Sequence, residues 1–311
     1  MPVVVVLPLI ALFLLLAWLA FFLFLRANES RIVFMADRTH SPSVPIDARV
    51  FHRVQFPTTD GLSLEGIQIG TTAAWPYWIL FCSASGMTIH MTEVQEQLRA
   101  LRSFGYGVLS FDYRGFGGNA GEPTEEGVYV DAESAYTYLT QNLRVPPARV
   151  ILAGRSLGSA VAVELATRVN VAGLVLFSPI DSVPLAGARL YPWFPVRRFA
   201  RNQFDNLAKV GRLQSPVVVV HGTTDEMISI EVARSLYEKV LPPKLMLETD
   251  AGHYDAGFNR GAKLLEALSR FWPPNAEIVD GKRQVGGGIA FPASRWPGIF
   301  VPAPYVRHRR S

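Results

Sequence analysis

A single cysteine, Cys82, stands in the 311 residues. One thiol closes no intrachain disulfide and builds no cysteine-rich metal site. Its place in the apolar run Ile79-Leu80-Phe81-Cys82 reads as a small buried hydrophobe rather than a reactive thiol. Charge is also scarce, at 18% of residues, and none of it falls between Val3 and Leu25. The formal net charge of +4 comes from one end of the chain. Residues 273–311 hold six basic side chains against two acidic ones, and the remainder balances at 24 of each. No basic stripe therefore lies on the folded part, and nucleic acid is not an expected partner. The tail, rich in Gly and Pro, reads as a solvated arm. The chain has no internal repeat, no dinucleotide fingerprint and no metal-ligand spacing, so no metal, nucleotide or flavin cofactor is expected.

What the chain does have begins at once. Val3–Leu25 is a continuous apolar run of 23 residues. As a helix it would extend about 34 Å, enough for the hydrocarbon core of a bilayer, with every backbone polar group satisfied internally. A cleaved signal peptide is the competing reading, but it needs a basic leading region and a shorter core, and no Lys or Arg precedes this run. A retained single-pass anchor is expected. Arg26 and Arg31 follow it, which by the positive-inside rule predicts that the bulk of the chain faces the cytoplasm.

Apolar, β-branched runs then recur near 49–56, 62–69, 77–83, 106–112, 149–154, 172–178, 216–221 and 244–249, and helical patterns near 91–103, 124–142, 157–169, 230–240 and 260–272. Several runs, such as Val217-Val218-Val219-Val220, are apolar throughout, as in parallel strands covered on both faces. This alternation predicts an α/β fold with a mostly parallel sheet of about eight strands and helices on both faces. The first two strands, with no helix between them, should pair antiparallel. The expected divisions are an anchor over 1–26, a polar linker over 27–48, the α/β domain over 49–272 and a tail over 273–311. Residues 181–211 interrupt the alternation with Tyr191-Pro192-Trp193-Phe194-Pro195 and several arginines, and read as a small cap.

Gly154-Arg155-Ser156-Leu157-Gly158 is a G-x-S-x-G sequence between the strand Arg149–Ala153 and a helical run from Ser159. That strand–turn–helix setting is the one a nucleophile elbow needs. The strained turn raises the serine hydroxyl above the sheet, the glycines avoid clashes, and the helix amino terminus favours developing negative charge. A serine hydroxyl requires a base and the base an orienting acid, in the chain order Ser…Asp…His for this topology. Asp225 and His253 follow the strands at 217–220 and 244–249, and both fall at carboxyl ends, where such sheets place their sites. Ser156 is thus the expected nucleophile, His253 the base and Asp225 its orienter, with Asp181 the alternative acid. His221, at the end of the strand before Asp225, is expected to be structural.

Linked motifs extend this reading. Phe111-Asp112-Tyr113-Arg114-Gly115-Phe116-Gly117, then Gly121-Glu122-Pro123-Thr124-Glu125 and Asp131-Ala132, together with Ser178-Pro179, Phe204-Asp205-Asn206-Leu207 and His221-Gly222-Thr223-Thr224-Asp225, resemble the bud-emergence (Bem) type α/β-hydrolase-domain proteins over about Arg49–Trp272. The resemblance implies an α/β-hydrolase fold, a membrane association and a lipid-like or otherwise acylated substrate cleaved as an ester or thioester. It also implies an oxyanion hole after the third strand. There the family usually has His-Gly-Asn-Ala-Gly, whereas this chain has Cys82-Ser83-Ala84-Ser85-Gly86. The donors are backbone amides, so Leu157 and Ala84 (or Ser83) are the candidates. Within the cap, Leu190, Trp193, Phe194 and Phe199 are candidates to line an acyl channel, and Arg197, Arg198 and Arg201 to meet anionic headgroups. Two other readings stay open: a catalytically weak membrane scaffold, and a serine peptidase of the same fold.

Overall fold

The computed structural model describes residues 2–35, 45–70, 77–255, 257–274, 276–279 and 282–285. Helix α1 (Pro2–Phe34) leads into the strands β1 (His52–Pro57), β2 (Ser63–Ile69) and β3 (Trp78–Cys82). The chain then alternates through α2 (Thr92–Ser103), β4 (Gly107–Phe111), α3 (Glu125–Thr137), β5 (Val150–Arg155), α4 (Leu157–Arg168) and β6 (Gly173–Phe177). After the short helices α5 (Val183–Leu190), α6 (Val196–Phe199) and α7 (Asn206–Lys209) come β7 (Val217–Gly222), α8 (Ile230–Lys239), β8 (Lys244–Thr249) and α9 (Gly261–Ser269).

The eight strands form one sheet in the order β1-β2-β4-β3-β5-β6-β7-β8. The β1–β2 and β2–β4 pairs are antiparallel, and all pairs from β4 to β8 are parallel. The apolar runs have a simple cause. Successive strand residues point to opposite faces, and both faces are covered. Trp78, Leu80, Leu174, Leu176, Val217 and Val219 enter the core beneath α3, α4 and α8. Their neighbours Ile79, Phe81, Val175, Phe177, Val218 and Val220 enter the core beneath α2 and α9.

The family-like motifs are spent largely on structure. Arg114 donates from its backbone N–H and its Nε to the Asp131 carboxylate, and from Nη1 to Asp60. Asp131 is fully buried, so the pair ties the loop after β4 to α3. Asp112 accepts from the Ile89 amide through Oδ1, and burial pushes its carboxyl up to about 8. Cys82 is buried too, and burial pushes its thiol up to about 12, which removes it as a nucleophile at neutral pH.

Two expectations from the sequence differ from the structure. Residues 27–34, read as the start of a polar linker, continue the amino-terminal helix without a break to Phe34. No Gly or Pro interrupts this segment, and Val33 on its inner face packs against the core of the body. Phe34 itself is fully buried, edge-on to Phe204 at 5.8 Å. At the other end, part of the presumed arm pairs as an antiparallel hairpin of β9 (Ala276–Val279) and β10 (Lys282–Val285). Residues 286–311 lie outside the described residues.

Candidate active site

Ser156 sits between β5 and α4 at φ +51°, ψ −118°. That is a costly conformation for a residue with a side chain, and the neighbouring glycines are what permit it. A Cβ at Gly154 would lie 2.1 Å from the Gly158 carbonyl oxygen, and one at Gly158 would lie 2.2 Å from the Cys82 carbonyl oxygen. The elbow is therefore wedged against both its own helix and the loop after β3. The Ser156 N–H donates to the Phe177 carbonyl (2.9 Å), and its carbonyl accepts from the Ser159 hydroxyl (2.6 Å).

Asp225 and His253 meet at the carboxyl ends of β7 and β8. His253 Nδ1 lies 2.8 Å from Asp225 Oδ2. The other carboxylate oxygen, Oδ1, accepts from the Met227 and Ile228 amides at 2.9 and 2.8 Å. Burial acts to raise the Asp225 carboxyl, but the His253 hydrogen bond and these amides outweigh it and hold the carboxyl below its usual range. A carboxylate there can only accept, so Nδ1 of His253 is the donor. His221 also approaches Asp225 (Nε2 to Oδ2, 3.4 Å), but its Nε2 donates to the Ile228 carbonyl at 2.8 Å. Burial lowers its basicity, so His221 is neutral and braces the loop without forming an ion pair. Asp181, the alternative acid, is occupied elsewhere, by Arg189 of α5 and the Ser182 amide.

One residue of this arrangement was not singled out from the sequence. Arg155, between the elbow glycine and Ser156, is 1% exposed. Its Nη2 donates to the His253 carbonyl at 3.0 Å, its Nη1 meets the Met87 sulfur, and its guanidinium lies 5.8 Å from the Tyr254 ring centre. Burial lowers its pKa to about 10, which still leaves it charged at neutral pH. Arg155 links the serine's strand to the histidine's loop. An arginine closing the apolar run Val150–Gly154 was the available signal.

Among the described residues, neither the Leu157 nor the Ala84 amide donates to a backbone carbonyl. Leu157 opens α4, where helix amides have no internal partner. The loop carrying Ala84 is held from two sides. The Ser83 carbonyl accepts from Tyr113 (3.2 Å), while the Ser85 hydroxyl and the Gly86 amide each donate at 2.8 Å to the carbonyls of Val33 and Phe34, the last two of α1.

Ser156 and Leu157 form part of the wall of a cavity of about 230 Å³. The rest of the wall is almost wholly apolar and comes from α5 and α6 on one side and α1 on the other. Of the cap candidates, Leu190, Phe194 and Phe199 line it. Trp193 does not; it is 63% exposed and packs against Phe21 of α1 at 5.1 Å. Arg197 is exposed and also lies off the wall. His253 is buried outside that wall.

A family model described as serine aminopeptidase, S33, matches residues 79–201, which run from β3 through the elbow into the cap. An uncharacterized protein of Mycobacterium tuberculosis is 32% identical over 259 residues, covering 82% of this chain and 91% of the relative. The chain belongs to the α/β-hydrolase domain-containing family. Human alpha/beta hydrolase domain-containing protein 17B is 33% identical over 165 residues, 53% of this chain and 55% of the human protein. Among solved structures, a Pyrococcus furiosus esterase superposes with a TM-score of 0.62 at 22% identity, over 76% of this chain and 97% of the esterase. A Xanthomonas campestris serine hydrolase described as lacking a lid gives 0.53 at 20% identity, over 75% and 100%. These two likenesses establish an α/β-hydrolase fold for the body. The amino-terminal helix of this family member is long and apolar enough, over Leu9–Phe34, to cross a membrane.

Proposed function

We propose that this α/β-hydrolase-domain protein is a membrane-anchored serine hydrolase that cleaves acyl esters or thioesters of lipid-like substrates through a covalent acyl-enzyme. The observation that carries the reading is Ser156 held at φ +51° in the wall of an apolar cavity, while the same sheet edge carries a buried Asp225–His253 pair at 2.8 Å. In the proposed reaction, Ser156 Oγ attacks the acyl carbonyl carbon and its proton passes to His253 Nε2. The amides of Leu157 and Ala84 stabilise the oxyanion. Collapse breaks the bond to the alcohol or thiol, which leaves with the proton from His253. Water, deprotonated by the same nitrogen, then attacks the acyl carbon; the bond to Ser156 Oγ breaks, His253 returns the proton to Oγ, and the carboxylic acid leaves. Asp225 keeps Nδ1 protonated and stabilises the imidazolium.

A peptidase reading is favoured by the description of the matching family model. An aminopeptidase needs a carboxylate to bind the substrate's free amino group. Among the described residues the one carboxylate in the cavity wall, Glu29, already accepts through Oε1 from the Arg201 and Asn202 amides and the Asn202 side chain. The apolar wall suits an acyl chain better.

Fluorophosphonate labelling of detergent-solubilised protein, wild type beside Ser156→Ala, tests the reading. Labelling of wild type alone supports an activated serine. Absence of labelling in both folded proteins transfers the case to the scaffold reading. Faster release of an aminoacyl amide than of an acyl ester would favour the peptidase. The charge pattern Arg26/Arg31 supports a cytoplasm-facing domain, and digestion of the domain by protease added outside intact cells would reverse that orientation.

A further inference from the structure

The amino-terminal helix does more than end near the site. Phe22, Leu25, Arg26, Glu29, Ile32 and Val33 recur at helical spacing, and all six line the cavity that contains Ser156. They start inside the apolar run and continue beyond it. The opposite wall is the cap, which is fastened to this helix between Trp18 and Glu29. Phe22 lies edge-on to Phe199 at 4.8 Å, Trp18 is 5.8 Å from Phe194, and Phe21 is 5.1 Å from Trp193. Arg26 donates to the Phe199 carbonyl at 3.1 Å, and Glu29 accepts from Arg201 and Asn202.

Position along the helix gives the cavity a direction. From Leu25, the last residue before Arg26, back to Trp18 is roughly 10 Å along the axis. Cap aromatics that touch Trp18, Phe21 and Phe22 therefore sit beside the segment that would lie in the outer hydrocarbon. Leu190 and Trp193, 73% and 63% exposed, are on this cap. Interfacial elements insert apolar residues to this depth, about 5–10 Å.

Resting on the acyl-hydrolase reading above, we propose that α1 is one wall of the acyl-binding channel and that the channel opens sideways into the bilayer. The acyl chain of a membrane-resident lipid slides between α1 and the cap, past Phe22 and Leu25, until its carbonyl reaches Ser156. The anchor is then a determinant of chain-length selectivity.

The test compares labelling of Ser156 by ethyl and hexadecyl fluorophosphonates on the full chain in phosphatidylcholine nanodiscs. Leu25→Trp, which fills the channel, should lower the hexadecyl-to-ethyl rate ratio by about tenfold, because several methylene groups lose their burial. Phe24→Trp, one residue away but outside the cavity wall, should keep the wild-type ratio. A wild-type ratio in Leu25→Trp, or an equal shift in both variants, overturns the proposal. Failure of the ethyl probe to label wild type would instead sink the serine-hydrolase reading. The channel is then decided in Ser156→Ala, using palmitate that carries a diazirine. Crosslinking to Ala186 and Leu190, lost in Leu25→Trp, supports the channel; crosslinking that Leu25→Trp leaves unchanged overturns it.

Discussion

The body and the cap hold their functional residues in different ways. In the body, Asp225 is gripped by two amides and a histidine, and the His253 loop is tied by Arg155 to the serine's own strand. Strands β5 and β7, which lead to Ser156 and Asp225, are buried on both faces, and β8, which leads to His253, is half-buried at the sheet edge. The cap consists of helices of eight and four residues, attached to α1 by tilted and edge-on ring contacts, one Arg26 hydrogen bond and the Glu29 carboxylate. The difference teaches a division of labour. Groups that would transfer protons and acyl chains are placed where rotamer and backbone are over-determined. Groups that would choose the substrate are placed on short elements with few constraints, where sequence can change at little cost to folding.

The largest expected effect lies in the body. Asp225→Asn should lower ester turnover by about 10³–10⁴-fold, because the histidine loses its tautomer control. A loss below tenfold would place the orienting role elsewhere. The same variant has a signature in stability. The folded carboxyl lies below its usual value, so its contribution is present above the unfolded pKa of about 3.9 and disappears as pH falls through the folded value. Between pH 5 and pH 3, wild type should lose melting temperature more steeply than Asp225→Asn.

Arg155→Met probes whether the two halves of the site are coupled. It removes the donor to the His253 carbonyl while keeping much of the volume. We expect about 10–100-fold lower turnover with substrate affinity little changed, as follows when a catalytic group is misplaced, and a stability loss of about 1–3 kcal/mol from the unsatisfied carbonyl. A stability loss with unaltered turnover would make Arg155 structural only.

The cap should respond more mildly. Glu29→Gln keeps an acceptor but removes its charge, and should cost about 1 kcal/mol, seen as increased proteolysis between Leu190 and Arg201 with near-normal turnover of a short ester. Least of all, replacing Arg197, Arg198 and Arg201 by Gln should weaken hydrolysis in anionic vesicles a few-fold, about 1 kcal/mol for the three charges together, and leave neutral vesicles unaffected. Equal losses on both would remove any headgroup role.

The same division explains what the sequence disclosed. The inner strands β3 to β7 were legible because strands covered on both sides must be apolar throughout, as in Val217–Val220. Chain order and strand ends pointed to Asp225 and His253, whose side chains the structure places in contact. The extent of α1 was not legible, because Arg26-Ala27-Asn28-Glu29 looks like solvent-facing linker. Its partners, Phe199 and Arg201–Asn202, stand more than 170 residues away. Which cap aromatics face the cavity depended on the same remote contacts. Phe194 turns toward the cavity while Trp193, its neighbour, packs outside against Phe21. Arg155 ends an apolar run, which signals its burial, but nothing local names its partner, a loop 98 residues onward.

The unbroken course of α1 has one further consequence. At 33 residues it would measure about 50 Å, against a hydrocarbon thickness of about 30 Å. Because the helix passes from the apolar stretch into the body with no hinge, an enzyme anchored as proposed would keep a fixed height and tilt over the lipid surface. It would meet its substrates by lateral diffusion in a single leaflet, and its turnover would follow their surface density rather than their bulk concentration.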